Sequence, residues 1–230
     1  MDATKTFMEV VAGLFVPNSV TILGVTGQAG AGKTQFITPL IKAVAAEHSF
    51  PCSSLGLDAF FRLSSLGRKK WIADGAEMGP AEHAYRKNQI NWWNFESAQK
   101  SLLSLKRGEV LHLTNAYNRQ DGGELTGEVL IEPPREGLLV IFEGVAIAHL
   151  DGADELMYVH APSHVRFERL YRRDASRRKS IEEARDRFHL TQDFERHYFP
   201  QHWERISCFI DNSAEVPQVL GTIPHEIALT

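Results

Sequence analysis

Residues 27–34 have the sequence GQAGAGKT, which satisfies the pattern G-x-x-x-x-G-K-T between an apolar stretch and a segment with helical spacing. Glycines allow the backbone to wrap around phosphate groups with its N–H groups pointing inward, and the N-terminus of the following helix adds partial positive charge. We expect Lys33 to reach the β- and γ-phosphates of a nucleotide and the Thr34 hydroxyl to ligate Mg²⁺. A chance glycine-rich turn is the alternative. The candidates for nucleotide binding are all eight residues of the motif: Gly27, Gln28, Ala29, Gly30, Ala31, Gly32, Lys33 and Thr34.

Two acidic residues stand where predicted strands end. The stretch LLVIFEGVA, residues 138–146, indicates a strand buried on both faces that ends in Glu143, and Asp58 ends a second apolar stretch. Burying a carboxylate is costly unless it is paired or coordinated. Ligands of parallel sheets bind beyond the carboxyl ends of the strands, so both acids are expected in one crevice. The alternatives are that Glu143 caps a following helix and that Asp58 caps a turn.

The elements that would position these residues alternate along the chain. Strands are predicted in VTILGVT, CSSLGLDAFF, LLVIFE, ELMYVHAP and ISCFIDN, with an edge hairpin strand in GEVLIEP. Helices are predicted over TKTFMEVVAGL, from about Lys33 to His48, over NFESAQKSLLSLKRGE, from about Ser163, and over 180–196. Residues 62–91 are polar and irregular, which predicts a functional flap within about 60–95. The alternation is typical of an α/β fold with a mostly parallel sheet flanked by helices.

Composition narrows the class of protein. The chain of 230 residues is long enough for a single domain, expected to span 1–230, with 43% apolar and 23% charged residues. Its net charge of −4 gives no overall attraction to nucleic acid or to an anionic membrane, and neither partner is expected. Cys52 and Cys208 lie in apolar runs, and no secretion signal or membrane span is visible, so a cytoplasmic protein with reduced cysteines is expected.

The order of these motifs resembles that of a known family. A phosphate-binding loop, an aspartate in GLDAFFR, a strand ending in FEGV and a basic helix containing RRD together resemble the uridine kinase and phosphoribulokinase family of small-molecule kinases. The resemblance extends over about residues 19–213, including CFIDNS near the end. It implies a P-loop NTPase fold with a helical lid and an acceptor flap, and it implies ATP and Mg²⁺ as cofactors.

The resemblance also implies roles for individual residues. Glu143 would hold Mg²⁺ directly or through water, and Asp58 would lie beside the metal as the base that accepts the proton of the acceptor hydroxyl. The segment 166–179 carries seven basic residues against two acids, where the family has a lid, expected here over about 166–185. Arg173 corresponds to a nucleotide-contacting arginine with a catalytic role, and Arg177 and Arg178 would lie in the mobile lid. The alternative is a solvated helix face.

The acceptor-binding segments depart from the uridine kinase pattern. Tyr117 is retained in NAYNRQDGGELTGE, but the acid that follows it is replaced by Asn118, and the downstream Phe and His are missing. Trp92 and Trp93 are candidates for an acceptor wall, with core packing as the alternative. The flap and the loop 116–123, which includes Arg119, carry seven basic residues against four acids. Arginine suits a polyhydroxylated or acidic acceptor, unless these charges are merely solvated.

These observations favour an ATP-dependent kinase that phosphorylates a hydroxyl of a small metabolite such as a sugar, a sugar acid or a similar polar alcohol. A uridine or cytidine kinase is the first alternative, and a nucleotide-dependent switch or chaperone with slow ATPase activity is the second. NRQD at 118–121 is only a near miss to the guanine motif N-K-x-D, so a GTPase is less favoured. The sequence is compatible with a homo-oligomer.

Overall fold

The computed structural model describes residues 6–174 and 180–220. Its centre is a six-stranded sheet in the order β2-β5-β1-β6-β7-β8. Neighbouring strands run parallel except for β8, which pairs antiparallel with β7. The strands of this sheet are β1 Val20–Thr26, β2 Cys52–Gly56, β5 Leu138–Glu143, β6 Glu155–His160, β7 Cys208–Asp211 and β8 Gln218–Leu220.

Helices cover both faces of the sheet, and each face has its own hydrophobic cluster. Residues of α1 and α2 pack on one face with Leu139, Ile141 and Met157, while residues of α5 pack on the other with Val140 and Phe142. Alternate residues of the buried strand β5 therefore enter opposite cores. The helices are α1 Phe7–Ala12, α2 Thr38–Glu47, α3 Ser65–Met78, α4 Pro80–Lys87, α5 Phe95–Lys106, α6 Ser163–Asp174 and α7 Ile181–Tyr198. No helix among the described residues combines the length and apolarity needed to cross a bilayer.

The α/β class and the mostly parallel sheet are confirmed, but the description of residues 62–91 as irregular is wrong. This segment forms α3, α4 and a 3₁₀ turn, Gln89–Trp92. Gly75 is the only buried residue of α3 and α4 has none, so the pair lacks the apolar periodicity by which helices are recognised. Gly79, at a φ of 123°, and Pro80 separate the two helices. The predicted flap is thus a helical hairpin.

The predicted hairpin strand in GEVLIEP is present, in a small sheet of its own. Strands β3 Leu111–Asn118 and β4 Glu124–Ile131 form a separate two-stranded antiparallel sheet, outside the central one. The segment NRQD spans the end of β3 and the connecting turn, where the Asn118 Oδ1 accepts the Gln120 N–H at 3.0 Å. This asparagine side chain therefore stabilises the turn that follows β3.

The pairing of β5 with β1 and β2 places the carboxyl ends of these three strands next to one another. In the parallel pairing, Glu143 lies opposite Val25 of β1 and opposite Gly56 of β2. The loop 27–34 leaves from the end of β1, and Asp58 lies two residues beyond β2 in the 3₁₀ turn Leu57–Phe60. The candidate residues from three different segments thus meet at the carboxyl edge of the sheet.

Candidate active site

The loop after β1 is shaped by close contacts that only glycine allows. Gly27 has a φ of 135°, and a Cβ there would lie 2.2 Å from the Val159 carbonyl oxygen. Gly30 has a φ of 82°, and its Cβ would lie 2.5 Å from the Arg166 carbonyl oxygen. Both positions combine a left-handed or mirror conformation with backbone crowding. The loop is therefore wedged between β6 and α6.

Lys33 folds back over this loop. Its ammonium group donates to the Gly27 carbonyl at 2.6 Å and to the Gln28 carbonyl at 3.0 Å. Burial lowers the pKa of Lys33 to about 8, against the opposing attraction of Glu195, Glu143 and Asp58, in that order. The lysine is thus the common neighbour of three carboxylates. Two of these are the acids expected in the crevice, and the third was not predicted.

Glu143 ends β5 beside the first turns of the helix that follows the loop. The Thr38 hydroxyl donates to its Oε2 at 3.0 Å, whereas Thr34, the predicted metal ligand, is exposed one turn earlier. The intervening residues Lys33–Ile37 form a π-helical turn, which rotates the helix face. A Cβ at Gly144 would lie 2.5 Å from the Leu57 Cβ, so close packing of the two strand-end turns requires glycine here.

These side chains suit Mg²⁺ held together with phosphate oxygens. No cluster of three or more His, Cys, Asp or Glu side chains able to hold a metal occurs within residues 6–174 and 180–220. Mg²⁺ is usually bound by one or two carboxylates together with phosphates and water. Glu143 ends β5 and Asp58 follows β2 at this edge of the sheet, and two carboxylates are consistent with that mode.

Glu195 of α7 is the carboxylate that the sequence did not reveal. It is 0% exposed, and its Oε1 accepts the Ala29 N–H at 2.6 Å. Its Oε2 lies 3.6 Å from Nη1 of Arg166 and has no hydrogen-bond partner. Burial raises the pKa of Glu195 to about 7, and the attraction of Arg166 opposes this rise. The acid thus joins α7 to the phosphate-binding loop.

Two arginines of α6 and an asparagine after β7 hold the carbonyl groups of the loop. Nη1 of Arg166 donates to the Ala29 carbonyl at 3.4 Å, and Nη1 of Arg169 donates to the Ala31 carbonyl at 3.1 Å. Nδ2 of Asn212 donates to the same Ala31 carbonyl at 2.7 Å. Arg166 and Asn212 are both buried. The first two basic residues of the segment 166–179 are therefore structural parts of the loop wall.

A cavity of about 630 Å³ opens beside the loop, next to Arg169. The Arg169 guanidinium lies 4.9 Å from the centre of the Phe36 ring, which is 47% exposed. Such a flat exposed surface of guanidinium and aromatic ring can stack against a planar base. The cavity is lined by apolar side chains and by polar groups from α6 and from the segment after β7, among them Phe36, Pro39, Leu40, Arg169, Asn212 and Pro217.

On the opposite side of the crevice, Asp58 is paired with an arginine. Its Oδ2 accepts from Nη2 of Arg119 at 3.0 Å, and both side chains are 44% exposed. Arg119 comes from the turn between β3 and β4, so the small sheet reaches the strand-end aspartate. Tyr117 lies nearby, with its hydroxyl 2.8 Å from the Ser65 hydroxyl at the start of α3.

Trp92 and Trp93 belong to the core, with exposures of 3% and 4%. The Trp92 indole nitrogen donates to the Arg86 carbonyl at 2.8 Å, and the Trp93 ring stacks on Phe61 at 5.2 Å. The guanidinium carbon of Arg68 lies 4.8 Å from the Trp92 ring centre. The indoles therefore line no open wall, and Trp92 instead supports a charged side chain.

The sequence profile of the Phosphoribulokinase / Uridine kinase family matches residues 22–204. This range contains the phosphate-binding loop, Asp58, Glu143, α6 and Glu195. The chain belongs to this family. A search of curated proteins finds no match to this chain.

Solved structures share the fold of this family member at low sequence identity. A protein assigned as a fructose transport system kinase from Silicibacter sp. TM1040 has a TM-score of 0.62 at 18% identity, covering 83% of this chain and 92% of that one. Phosphoribulokinase from Rhodobacter sphaeroides has a TM-score of 0.61 at 14% identity, with coverages of 84% and 70%. D-glycerate 3-kinase from Cryptococcus neoformans has a TM-score of 0.59 at 12% identity, with coverages of 88% and 90%.

The lid residues predicted by resemblance to the Phosphoribulokinase / Uridine kinase family are only partly described. Arg173 is exposed in the last turn of α6, and its spacing of four from Arg169 places it on the same side of the helix, about 6 Å further from the loop. Arg177 and Arg178 lie outside the described residues. The lid over about 166–185 stays a prediction, and Arg166 at its start is buried against the loop.

Proposed function

We propose that this family member is an ATP-dependent kinase that transfers the γ-phosphoryl group to a hydroxyl of a small polar metabolite, such as a sugar, a sugar acid or a similar alcohol. The observation that carries the proposal is the convergence of Lys33, Asp58 and Glu143 at the ends of three adjacent parallel strands. A cation for phosphates, an acid for a metal and an acid for a hydroxyl are the groups that phosphoryl transfer requires.

The nucleotide side of the proposal rests on the loop 27–34 and the cavity beside it. The phosphates would lie along the loop, and Lys33 would leave its contacts with the Gly27 and Gln28 carbonyls to bind them. The base would stack on the Phe36 and Arg169 surface. Glu143 and Thr34 would hold Mg²⁺, which neutralises charge on the transferred group.

The acceptor side of the proposal rests on Asp58. An acceptor hydroxyl within hydrogen-bond reach of its carboxylate would be oriented for in-line attack on the γ-phosphorus. It would give up its proton to Asp58 as the new P–O bond forms, while the bond from the γ-phosphorus to the β–γ bridging oxygen breaks and ADP leaves. Arg119 donates to one oxygen of that carboxylate at 3.0 Å, so the acceptor hydroxyl would either use the second oxygen or replace Arg119 at the first. A guanidinium replaced in this way would be available to the acceptor.

Family membership supports a kinase, and the structural neighbours support the acceptor class. Three proteins of similar fold are described as a fructose transport system kinase, a phosphoribulokinase and a D-glycerate 3-kinase. Each of these names designates a kinase of a sugar, a sugar phosphate or a hydroxy acid. The departures from the uridine pattern after Tyr117 point in the same direction.

The test is an acceptor screen with coupled detection of ADP, using sugars, hydroxy acids and pyrimidine nucleosides. We expect kcat/KM to be highest for a sugar or hydroxy acid. A clear preference for uridine or cytidine would refute the proposed acceptor class and would favour the alternative, a nucleoside kinase. ADP release that no small acceptor stimulates, but a partner protein does, would favour a nucleotide-dependent switch.

Replacing Asp58 by Asn tests the assigned base. We expect Asp58→Asn to keep ATP affinity and lose about 10²-fold or more in kcat, because an amide cannot accept the proton. Asp74→Asn, which changes an exposed carboxylate of α3, is the matched control and is expected to retain activity. Loss of ATP binding with normal turnover of the bound fraction would instead make Asp58 a metal or structural residue.

A further inference from the structure

One half-buried cationic side chain beside Asp58 has no carboxylate partner among the described residues. Arg68 of α3 packs its guanidinium over the Phe61 ring at 4.1 Å and the Trp92 ring at 4.8 Å. Its Nη1 is fully buried and has no hydrogen-bond partner. Within the described part of the chain, no carboxylate forms an ion pair with it at 4.0 Å or less.

The charges around Asp58 do not balance. Asp58 and Arg119 pair with each other, and Arg68 is attracted to the same aspartate and to Tyr117 without an ion pair of its own. Burial lowers the pKa of Arg68, which reflects the cost of removing its charge from water. Among the described residues, two guanidinium groups thus face one carboxylate, and one of the two positive charges has no ion-pair partner.

An unpaired guanidinium at this position suits an anionic ligand. A buried charge is unfavourable unless it is paired and hydrogen-bonded. A neutral acceptor would leave the Arg68 guanidinium without an anionic partner. Arginine binds carboxylate and phosphate groups through two parallel hydrogen bonds. The aromatic rings of Phe61 and Trp92 pack against the guanidinium, so less conformational entropy would be lost when it binds an anion.

We propose that the acceptor of this kinase carries an anionic group, a carboxylate or a phosphate, and that Arg68 binds it. This inference rests on the proposed kinase function and adds the chemical class of the acceptor. With the hydroxyl at Asp58 and the anion at Arg68, the acceptor is held at two points. Arg119, whose charge acts on Arg68, would be available to the anion once it leaves Asp58.

The test compares acceptors in pairs that differ in the anion alone: glycerate with glycerol, gluconate with glucitol, and fructose 6-phosphate with fructose. We expect one anionic member to exceed its neutral partner in kcat/KM by about 10²-fold, the effect of a charge-assisted bidentate contact. Preference for the first two anions identifies a carboxylate, and preference for the third identifies a phosphate.

Variants of Arg68 locate the effect. Arg68→Gln is expected to raise KM for the anionic acceptor about 10²-fold while leaving KM for ATP and turnover of the neutral partner unchanged. Arg68→Lys keeps the charge but cannot donate two parallel hydrogen bonds, so its KM for the anionic acceptor is expected to lie between those of the wild type and Arg68→Gln. Lys69→Gln removes an exposed charge from the next residue and serves as the control.

Either of two kinetic results would overturn the inference. Neutral acceptors that match their anionic partners show that the acceptor needs no anion, and equal losses for both members of a pair in Arg68→Gln show that Arg68 only supports the fold. Either result leaves the kinase itself standing. If ATP binds but no acceptor is phosphorylated, the kinase proposal fails instead. Calorimetry with glycerate or inorganic phosphate then decides whether Arg68 binds anions. If the wild type and Arg68→Gln bind the anion equally, or if neither binds it, the role of Arg68 is refuted.

Discussion

Replacing Glu195 by Gln removes one charge from beneath the phosphate-binding loop with little change in shape. The carboxylate is fully buried, and its Oε1 receives the Ala29 N–H at 2.6 Å, a contact that an amide oxygen can retain. Its negative charge is the largest of the attractions that support the Lys33 ammonium against burial. The variant therefore tests whether this acid keeps Lys33 charged.

The expected effect has a defined direction with pH. The pKa of Lys33 is about 8, and only the ammonium form attracts phosphates, so ATP affinity should fall as the pH rises through about 8. Losing the adjacent negative charge of Glu195 should lower the pKa of Lys33 by about one unit or more. The variant should then bind ATP about fivefold more weakly than the wild type at pH 8 but less than about twofold more weakly at pH 6.5.

The measurement is the Kd of ATP by calorimetry between pH 6.5 and 9.5, in buffers of different ionisation enthalpy so that proton uptake is counted. Glu204→Gln, an exposed change, is the control. Breaking the pair with Arg166 should also lower stability by up to about 3–5 kcal/mol, so folding is verified by thermal melting in each buffer. Identical pH profiles for Glu195→Gln and the wild type would refute the electrostatic role.

Three further changes test other parts of the site and fold. Lys33→Ala should reduce kcat/KM by about 10²-fold or more and weaken ATP binding, since the charge that spans the phosphates is lost; near-normal activity would mean that the phosphates lie elsewhere. Glu143→Gln should raise the Mg²⁺ concentration needed for half-maximal activity about tenfold or more, and an unchanged requirement contradicts a metal role. Burial lowers the pKa of His149 to about 4, so the folded protein should lose stability as the pH falls from about 6.5 towards 4. His149→Asn should flatten that dependence in thermal melts, whereas exposed His164→Asn should not.

The sequence was most informative where signals are local. The loop 27–34 is recognisable because its glycines, its lysine and the preceding strand are contiguous. Strand ends at Glu143 and near Asp58 follow from apolar runs that stop at an acid, and parallel strands bring such ends to one edge. The α/β class follows from the alternation of predicted strands and helices along the chain. The roles of Lys33, Asp58 and Glu143 in chemistry remain predictions.

Contacts between distant segments gave no comparable signal. Glu195 reaches Ala29 across 166 positions, and Asn212 reaches Ala31 across 181. In the sequence, Glu195 is one of many acids in a polar helix, and only the fold shows that it is buried. The helix α3 was missed because a polar hairpin packed at the surface lacks an apolar stripe. From the sequence, Arg68 is therefore only one of the seven basic residues in the flap and the loop 116–123.

The hydrogen bonds that α6 and Asn212 make to the loop also fix the direction of peptide dipoles. Because a peptide unit is planar and trans, an N–H group points away from the carbonyl group that precedes it. With the carbonyls of Ala29 and Ala31 held towards α6 and Asn212, the N–H groups of Gly30 and Gly32 are turned to the opposite side. Arg169 thereby aligns partial positive charge for a phosphate through the backbone, and a small rotation of α6 would tilt both dipoles at once.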